Sequence, residues 1–281
     1  MYNFGDLPVE YTGLNISQIV ILPVPYDGTS TWGKGADKGP GAIIEASANM
    51  EVYDIETNSE VYLKGIHTAE PVKEASSPER MSDAVYERMK DLLERDKFPV
   101  LLGGEHSVTI GSVKAFSEKV DDLSVLQIDA HTDLRDEYLG SRYNHACVMA
   151  RVRDLCPFVQ VGIRSMDASE KKYIQKGKIF FASEIAGKDP EWMERVVEQL
   201  TGNVYVTIDL DSLDPAYMPS TGTPEPGGLT YYEVLNLVRK VIDKKKVVGF
   251  DVVELAPDPG NKAPDFLAAK LIYQVLSYRF K

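Results

Sequence analysis

Four short segments of this chain carry closely spaced carboxylates and imidazoles. They are Gly103-Gly104-Glu105-His106-Ser107, Asp129-Ala130-His131-Thr132-Asp133, Asp209-Leu210-Asp211-Ser212-Leu213-Asp214-Pro215 and Asp251-Val252-Val253-Glu254. In extended backbone, side chains i and i+2 share a face, so Asp-x-His-x-Asp and Asp-x-Asp each present ligands on one side. If the segments converge, Asp129, Asp133, Asp209, Asp211 and Glu254 crowd one cleft, and bound protons or cations must offset their repulsion. Two divalent ions balance four aspartates in charge. Two histidines with four aspartates and no cysteine make an oxygen-rich ligand set. Such a set suits Mn²⁺, while Zn²⁺, Fe²⁺ and Co²⁺ also bind it. An isolated Asp-x-Asp is usually a turn or a helix cap; that reading does not explain all four segments together.

Each segment directly follows an apolar run. Strands are expected over residues 18–23, 99–102, 123–128, 158–162, 204–208 and 247–253, with a weaker candidate at 179–181. The runs are apolar on successive residues, as in parallel strands buried on both faces. Helices are expected over 81–94, 108–116, 146–154, 168–175, 190–200, 231–244 and 263–278. In 231–244, Val234, Leu235, Leu237, Val238, Val241 and Ile242 fall on one face, and Thr230 with Glu233 forms a capping-box pattern. Strand–helix alternation predicts an α/β chain: a three-layer α/β/α fold with a central, mostly parallel sheet. Catalytic groups then belong beyond the carboxyl ends of the strands. Without a repeat or a Ser/Gly-rich linker, residues 1–281 read as a single domain.

With 281 residues, 43% of them hydrophobic and 26% charged, the chain can bury a sizeable core. Its net charge of -12 opposes nucleic-acid binding and attracts cationic small molecules. No stretch approaches about 20 uninterrupted apolar residues, so no membrane span is expected. Cys147 and Cys156 are too few and too ill-spaced for a disulfide framework, and read as free buried thiols of a cytoplasmic protein. The N-terminus lacks the basic and apolar regions of a signal peptide. His67 ends a possible strand and reads as a surface or cap residue. Gly28-Thr29-Ser30-Thr31-Trp32-Gly33-Lys34 imitates a phosphate-binding loop, but Gly35 stands where the magnesium-binding hydroxyl is needed, so nucleotide binding is not expected.

Together these residues resemble the ureohydrolase family, which comprises agmatinases, arginases and their relatives. The shared pattern covers Pro25-Tyr26-Asp27-Gly28-Thr29, Gly39-Pro40 with Ile43-Ile44-Glu45-Ala46-Ser47, the Gly103 and Asp129 segments, and residues 207–228. In the last stretch Asp209, Asp211, Pro215, Pro219 and Gly228 stand at the family's spacing. The resemblance implies two Mn²⁺ per subunit. His106 and Asp133 would bind one ion, His131 and Asp211 the other, and Asp129 and Asp209 would bridge. It implies attack of a metal-acidified water, which Asp133 could help orient, on a guanidinium carbon, followed by collapse to urea and an amine. Glu254 matches the glutamate that pairs with the guanidinium. His145, in Tyr143-Asn144-His145-Ala146-Cys147, matches the histidine that shuttles protons at the mouth of the site. By analogy a homo-oligomer, a trimer or hexamer, is implied. Two positions depart from the usual pattern: Ala146 follows the shuttle histidine where many relatives have Gly, and Glu105 stands where many have Asp.

Arginases place Asn and Ser/Thr groups between the second metal motif and the shuttle histidine to hold the substrate's α-carboxylate. Residues 134–144 are charged instead and resemble microbial agmatinases. Agmatine ends in an ammonium, for which Asp136, Glu137 and Asp167 are candidate partners; Asp167 equally suits a helix cap before Ala168. The expected activity is therefore manganese-dependent hydrolysis of agmatine, a small cationic guanidino substrate, to putrescine and urea, a step of polyamine biosynthesis. Arg135 and Arg142 could instead meet a carboxylate, which leaves arginine, guanidinobutyrate and guanidinopropionate as alternatives. Formiminoglutamate would need the same metal chemistry. A catalytically idle regulatory relative would have lost a metal ligand, and no ligand position is lost here.

Overall fold

The computed structural model describes residues 3–281. Eight strands are formed: β1 (Ile19–Val24), β2 (Ile66–Thr68), β3 (Phe98–Gly103), β4 (Leu123–Ile128), β5 (Phe158–Ile163), β6 (Ile179–Phe181), β7 (Asn203–Asp209) and β8 (Lys246–Val253). They make one sheet in the order β2-β1-β3-β8-β7-β4-β5-β6, with every neighbouring pair parallel. The α-helices are α1 (Gly39–Ser47), α2 (Pro78–Glu94), α3 (Val108–Lys119), α4 (Val148–Arg153), α5 (Ala182–Ile185), α6 (Glu191–Glu198), α7 (Tyr231–Lys244) and α8 (Ala263–Phe280).

Alternate side chains of each strand enter opposite cores. In β1, Ile19 and Ile21 join the cluster built with α1, α6, α7 and α8, whereas Val20, Leu22 and Val24 join the cluster built with α2, α3 and α4. Helices on both faces explain why the strands are continuously apolar. The path from β3 to β4 leaves a gap in the sheet that β7 and β8 fill later. The direction of winding reverses there, which opens a crevice at the strands' carboxyl ends.

Besides the single-turn helix α5, which is not among the expected helices, the observed elements differ from the expected ones in four places. The short edge strand β2 contains His67 at its centre, where Nδ1 lies 2.8 Å from the Thr12 carbonyl oxygen. Helix α1 is hidden in the sequence by Gly39-Pro40-Gly41; Pro fits the first turn, where its missing N–H has no intrahelical partner anyway. Residues 168–175 form a tight 3-10 segment (Ala168–Tyr173) rather than an α-helix. It begins with a capping box between Asp167 and Glu170, and Glu170 is also held by the Leu134 amide at 2.7 Å. The helix expected over 146–154 starts as a 3-10 turn (His145–Cys147) and continues as α4. Helix α7 has its expected bounds, with both capping-box hydrogen bonds formed. Among the described residues, no helix is long and apolar enough to cross a membrane.

Candidate active site

The four chemistry-bearing segments leave β3, β8, β7 and β4, which lie side by side at the centre of the sheet. This brings His106, His131, Asp133, Asp209, Asp211 and Glu254 to one cleft of about 330 Å³, with Asp129 fully buried beside His106. His106 Nδ1 lies 3.0 Å from Asp133 Oδ2, 3.1 Å from Asp129 Oδ2 and 3.3 Å from Asp209 Oδ2. His131 Nδ1 lies 2.9 Å from Asp211 Oδ2 and 3.6 Å from Asp129 Oδ1. Among the described residues, two groups could therefore hold an ion: His106, Asp129 and Asp209, and Asp129, His131 and Asp211. Asp129 belongs to both.

Backbone and neighbouring side chains aim these ligands. His106 Nε2 lies 2.9 Å from Thr207 Oγ1, which turns Nδ1 toward the carboxylates. That Nδ1 is buried without a well-formed hydrogen bond, so a metal ion suits it as an electron-pair acceptor. Asp129 Oδ1 accepts the His131 amide at 2.6 Å, and Gln127 Nε2 donates to Oδ2 at 2.6 Å. Asp209 Oδ1 accepts the Asp211 amide at 2.9 Å, and Asp211 Oδ1 accepts the Ala130 amide at 3.1 Å. Asp133 (φ 51°) and Glu254 (φ 69°) occupy the left-handed region, uncommon for residues with a Cβ. At Asp133 this turns the carbonyl toward the amides of Met149 and Ala150, at 2.9 and 3.1 Å, while the carboxylate faces His106. Glu254 Oε1 accepts the His106 amide at 2.7 Å.

The protein charges alone make this a strained cluster. Burial, then the neighbouring Asp129 charge, pushes the Asp133 carboxyl up to about 7. Burial, then Asp211, raises Asp209, while burial, then Glu105, raises Glu254. Burial opposes charge on His106 and His131, yet the carboxylates around them raise both. Those two imidazoles in turn hold Asp129 low against its own burial. Protons do here what a divalent cation does better: they neutralise converging carboxylates. The donor set and the orphaned Nδ1 thus fit a metal centre.

The Arginase family pattern matches residues 17–277. The chain belongs to the Arginase family. Across 271 residues, 92% of this chain and 88% of the relative, it is 40% identical to the N(1)-aminopropylagmatine ureohydrolase of Synechocystis sp.. It is 34% identical to the agmatinase of Pyrococcus horikoshii, covering 98% of this chain and 96% of that one. The solved agmatine ureohydrolase of Thermoplasma volcanium superposes with a TM-score of 0.86 at 32% identity, over 95% of this chain and 92% of that one. This Arginase-family member is accordingly an agmatinase-like ureohydrolase, a hydrolase of guanidino or amidino groups.

The remaining expected residues are distributed unevenly around this ureohydrolase cleft. His145 lines it and is half-buried; burial, then the His131 and His106 charges, push its imidazole down to about 4. Asp167 lines the mouth, but as the cap of the 3-10 segment, with Arg135 Nη2 at 3.7 Å. Asp136 and Glu137 are not among the lining residues; Asp136 is engaged by Arg153, Lys172 and Tyr173. Arg142 also lies outside the lining, near Asp154.

Sequence reasoning missed much of the cleft wall. Ser30, Thr31, Trp32 and Gly33 line it, so the segment that imitates a phosphate-binding loop serves as wall. Thr223 and Glu225 also line it, and the Gly33 amide donates to the Gly222 carbonyl at 3.1 Å, which joins the two loops. Arg164 was also unforeseen. Its guanidinium donates to the carbonyls of Asp211 (2.6 Å), Glu225 (2.8 Å) and Gly162 (3.1 Å), clamping the loop that carries Asp211 and Glu225. The available signal was position: like the metal motifs, residues 28–33 and Arg164 follow apolar strands.

Proposed function

We propose that this chain is a binuclear manganese ureohydrolase acting on a guanidinium whose tail carries ammonium rather than carboxylate, with agmatine as substrate and putrescine and urea as products. The observation that carries this reading is the cleft mouth. It offers Asp167 and Glu225, with Glu170 buried beside them and held by the Leu134 and Asp167 amides, while its one lining arginine, Arg135, is matched by Asp167 and stacked on Tyr138 with 4.3 Å to the ring centroid. A substrate carboxylate would meet an already partnered cation and several repelling anions.

His106, Asp133, His131 and Asp211, with Asp129 and Asp209 shared, would hold two ions. When bound, the ions supply Lewis-acid polarisation and a more acidic water. Glu254 pairs with the planar guanidinium while its other oxygen stays on the His106 amide. His145, neutral at rest because burial and the His131 and His106 charges push its imidazole down, takes up a proton and passes it to the departing amine, so that a neutral amine leaves rather than an amide anion. The oxygen-rich donor set supports manganese. Residues 1–281 would act as one domain, in the cytoplasm, assembled as a homo-oligomer.

A second substrate is N(1)-aminopropylagmatine, favoured by the name of the Synechocystis relative. The exposed Trp32 indole at the cleft wall and Glu225 could receive its additional ammonium. Urea release by Mn²⁺-loaded protein decides among these substrates, with agmatine, N(1)-aminopropylagmatine, arginine, guanidinobutyrate and guanidinopropionate compared and His131→Ala as control. Preference for either carboxylate-free amine is expected. Preference for arginine or a guanidino acid would overturn the assignment of the tail.

A further inference from the structure

Thr29 follows β1 and is not among the residues that line the cleft, yet its hydroxyl joins two residues that do matter there. Thr29 Oγ1 lies 2.8 Å from Glu105 Oε1, 2.9 Å from the His145 amide and 3.1 Å from His145 Nδ1. Glu105 is buried, and its carboxylate is ringed by donors. Oε1 receives the Thr29 amide at 3.2 Å and the Ser107 hydroxyl at 2.9 Å, and Oε2 receives the Ser107 amide at 2.8 Å.

A threonine hydroxyl has one proton and two lone pairs. Its proton goes to the Glu105 carboxylate. One lone pair accepts the His145 amide, and the other faces Nδ1. Nδ1 must therefore carry hydrogen and donate to Thr29, and in the neutral ring Nε2 is left with the lone pair.

We infer that Thr29, anchored by Glu105, is a positioning residue that fixes the ring orientation and tautomer of His145, making Nε2 the nitrogen that exchanges protons. This inference rests on the reading of His145 as proton donor to the leaving amine. In that step the Nε2–H bond of the imidazolium breaks, its electron pair stays on the ring, and the proton forms the new N–H bond of the amine. Nδ1–H remains on Thr29 throughout. The acceptor at Thr29 also favours the imidazolium, just as a second hydrogen-bond partner commonly orients a working histidine.

Thr29→Val keeps the shape and removes the hydroxyl, whereas Thr29→Ser keeps the hydroxyl. In metal-loaded protein, Thr29→Val is expected to lower kcat by about 10- to 100-fold, as for a weakened general acid, with KM changed less than about threefold. Thr29→Ser should restore most of the rate, and metal content should match the parent. In a His145→Ala background, Thr29→Val should change the rate by less than about twofold, because residues acting as one unit are not additive. Equal losses in both backgrounds, or no loss in either, would overturn the relay alone. A His145→Ala variant with full activity would instead overturn the proton-donor role, and the relay with it. Nitrogen-15 NMR of the His145 ring in the unmutated protein provides a check that needs no variant: Nδ1–H is expected, and Nε2–H would refute the inference.

Discussion

At Glu254 three unfavourable features coincide: burial, a raised carboxyl pushed by desolvation and then by Glu105, and a left-handed backbone at φ 69°. Such strain collects where a charge is needed for binding. Glu254→Gln keeps an oxygen for the His106 amide but removes the charge that would face the guanidinium. Losing a charge-assisted pair should lower kcat/KM by about 10- to 100-fold, corresponding to roughly 1.5–3 kcal/mol. The same change removes a buried like charge, so the metal-free protein should unfold at a higher temperature, by about 2–4 °C if the gain is about 1 kcal/mol. Steady-state kinetics and a melting curve on one variant test both. A variant that is less active and less stable would place Glu254 in a purely structural role.

At the scale of elements, the loops after β1 and β3 meet at Gly104. A Cβ there would stand 1.8 Å from the Tyr26 carbonyl oxygen, and the three nearest atoms are all Tyr26 backbone. That carbonyl also accepts the Glu105 amide at 2.9 Å, so the loops cannot separate without disturbing Glu105 and His106. Gly104→Ala should destabilise the protein by about 3 kcal/mol or more. Gly41→Ala on α1 meets nothing within 4 Å and should be neutral or stabilising by up to about 1 kcal/mol. Denaturant midpoints of the pair check the contrast; equal midpoints would refute it. These loops also show what a sequence makes legible. The metal motifs stand out because Asp and His are conspicuous directly after short apolar runs. Residues 30–33 follow β1 less directly and residues 222–225 lie well beyond β7, and their mostly small or polar side chains carry no chemical signature of a wall. Strand β2 is too short for periodicity, and α1 opens on residues that usually break helices. Asp136 and Glu137 illustrate the converse: charge and chain position place them near the mouth, while Arg153 and Lys172, distant in sequence, turn Asp136 elsewhere.

For the molecule as a whole, metal loading and folding are linked through the same protons. In the metal-free fold, Asp133 is raised to about 7, and Asp209, Glu254, His106 and His131 are all raised. A raised group binds its proton more tightly folded than unfolded. Its contribution to stability is present below the unfolded value and disappears as pH rises through the folded value. The metal-free protein should therefore lose stability from these groups as pH rises through about 7, when Asp133 ionises among other carboxylates. His145, pushed down to about 4, acts oppositely, but its window lies between about 4 and the ordinary histidine value near 6.5. Asp129, held low, matters only in stronger acid. Metal binding requires deprotonated ligands, so affinity rises over the same interval in which the metal-free fold weakens. The gap in Tm between Mn²⁺-loaded and chelator-stripped protein should consequently widen from pH 6 to pH 8 at fixed free metal, since a ligand bound to the folded state alone stabilises in proportion to the logarithm of its saturation ratio. Differential scanning calorimetry at the two pH values measures it. A gap that stays constant or narrows would mean that the ions do not replace these protons, and that the carboxylates and imidazoles at the four central strand ends are not the ligands.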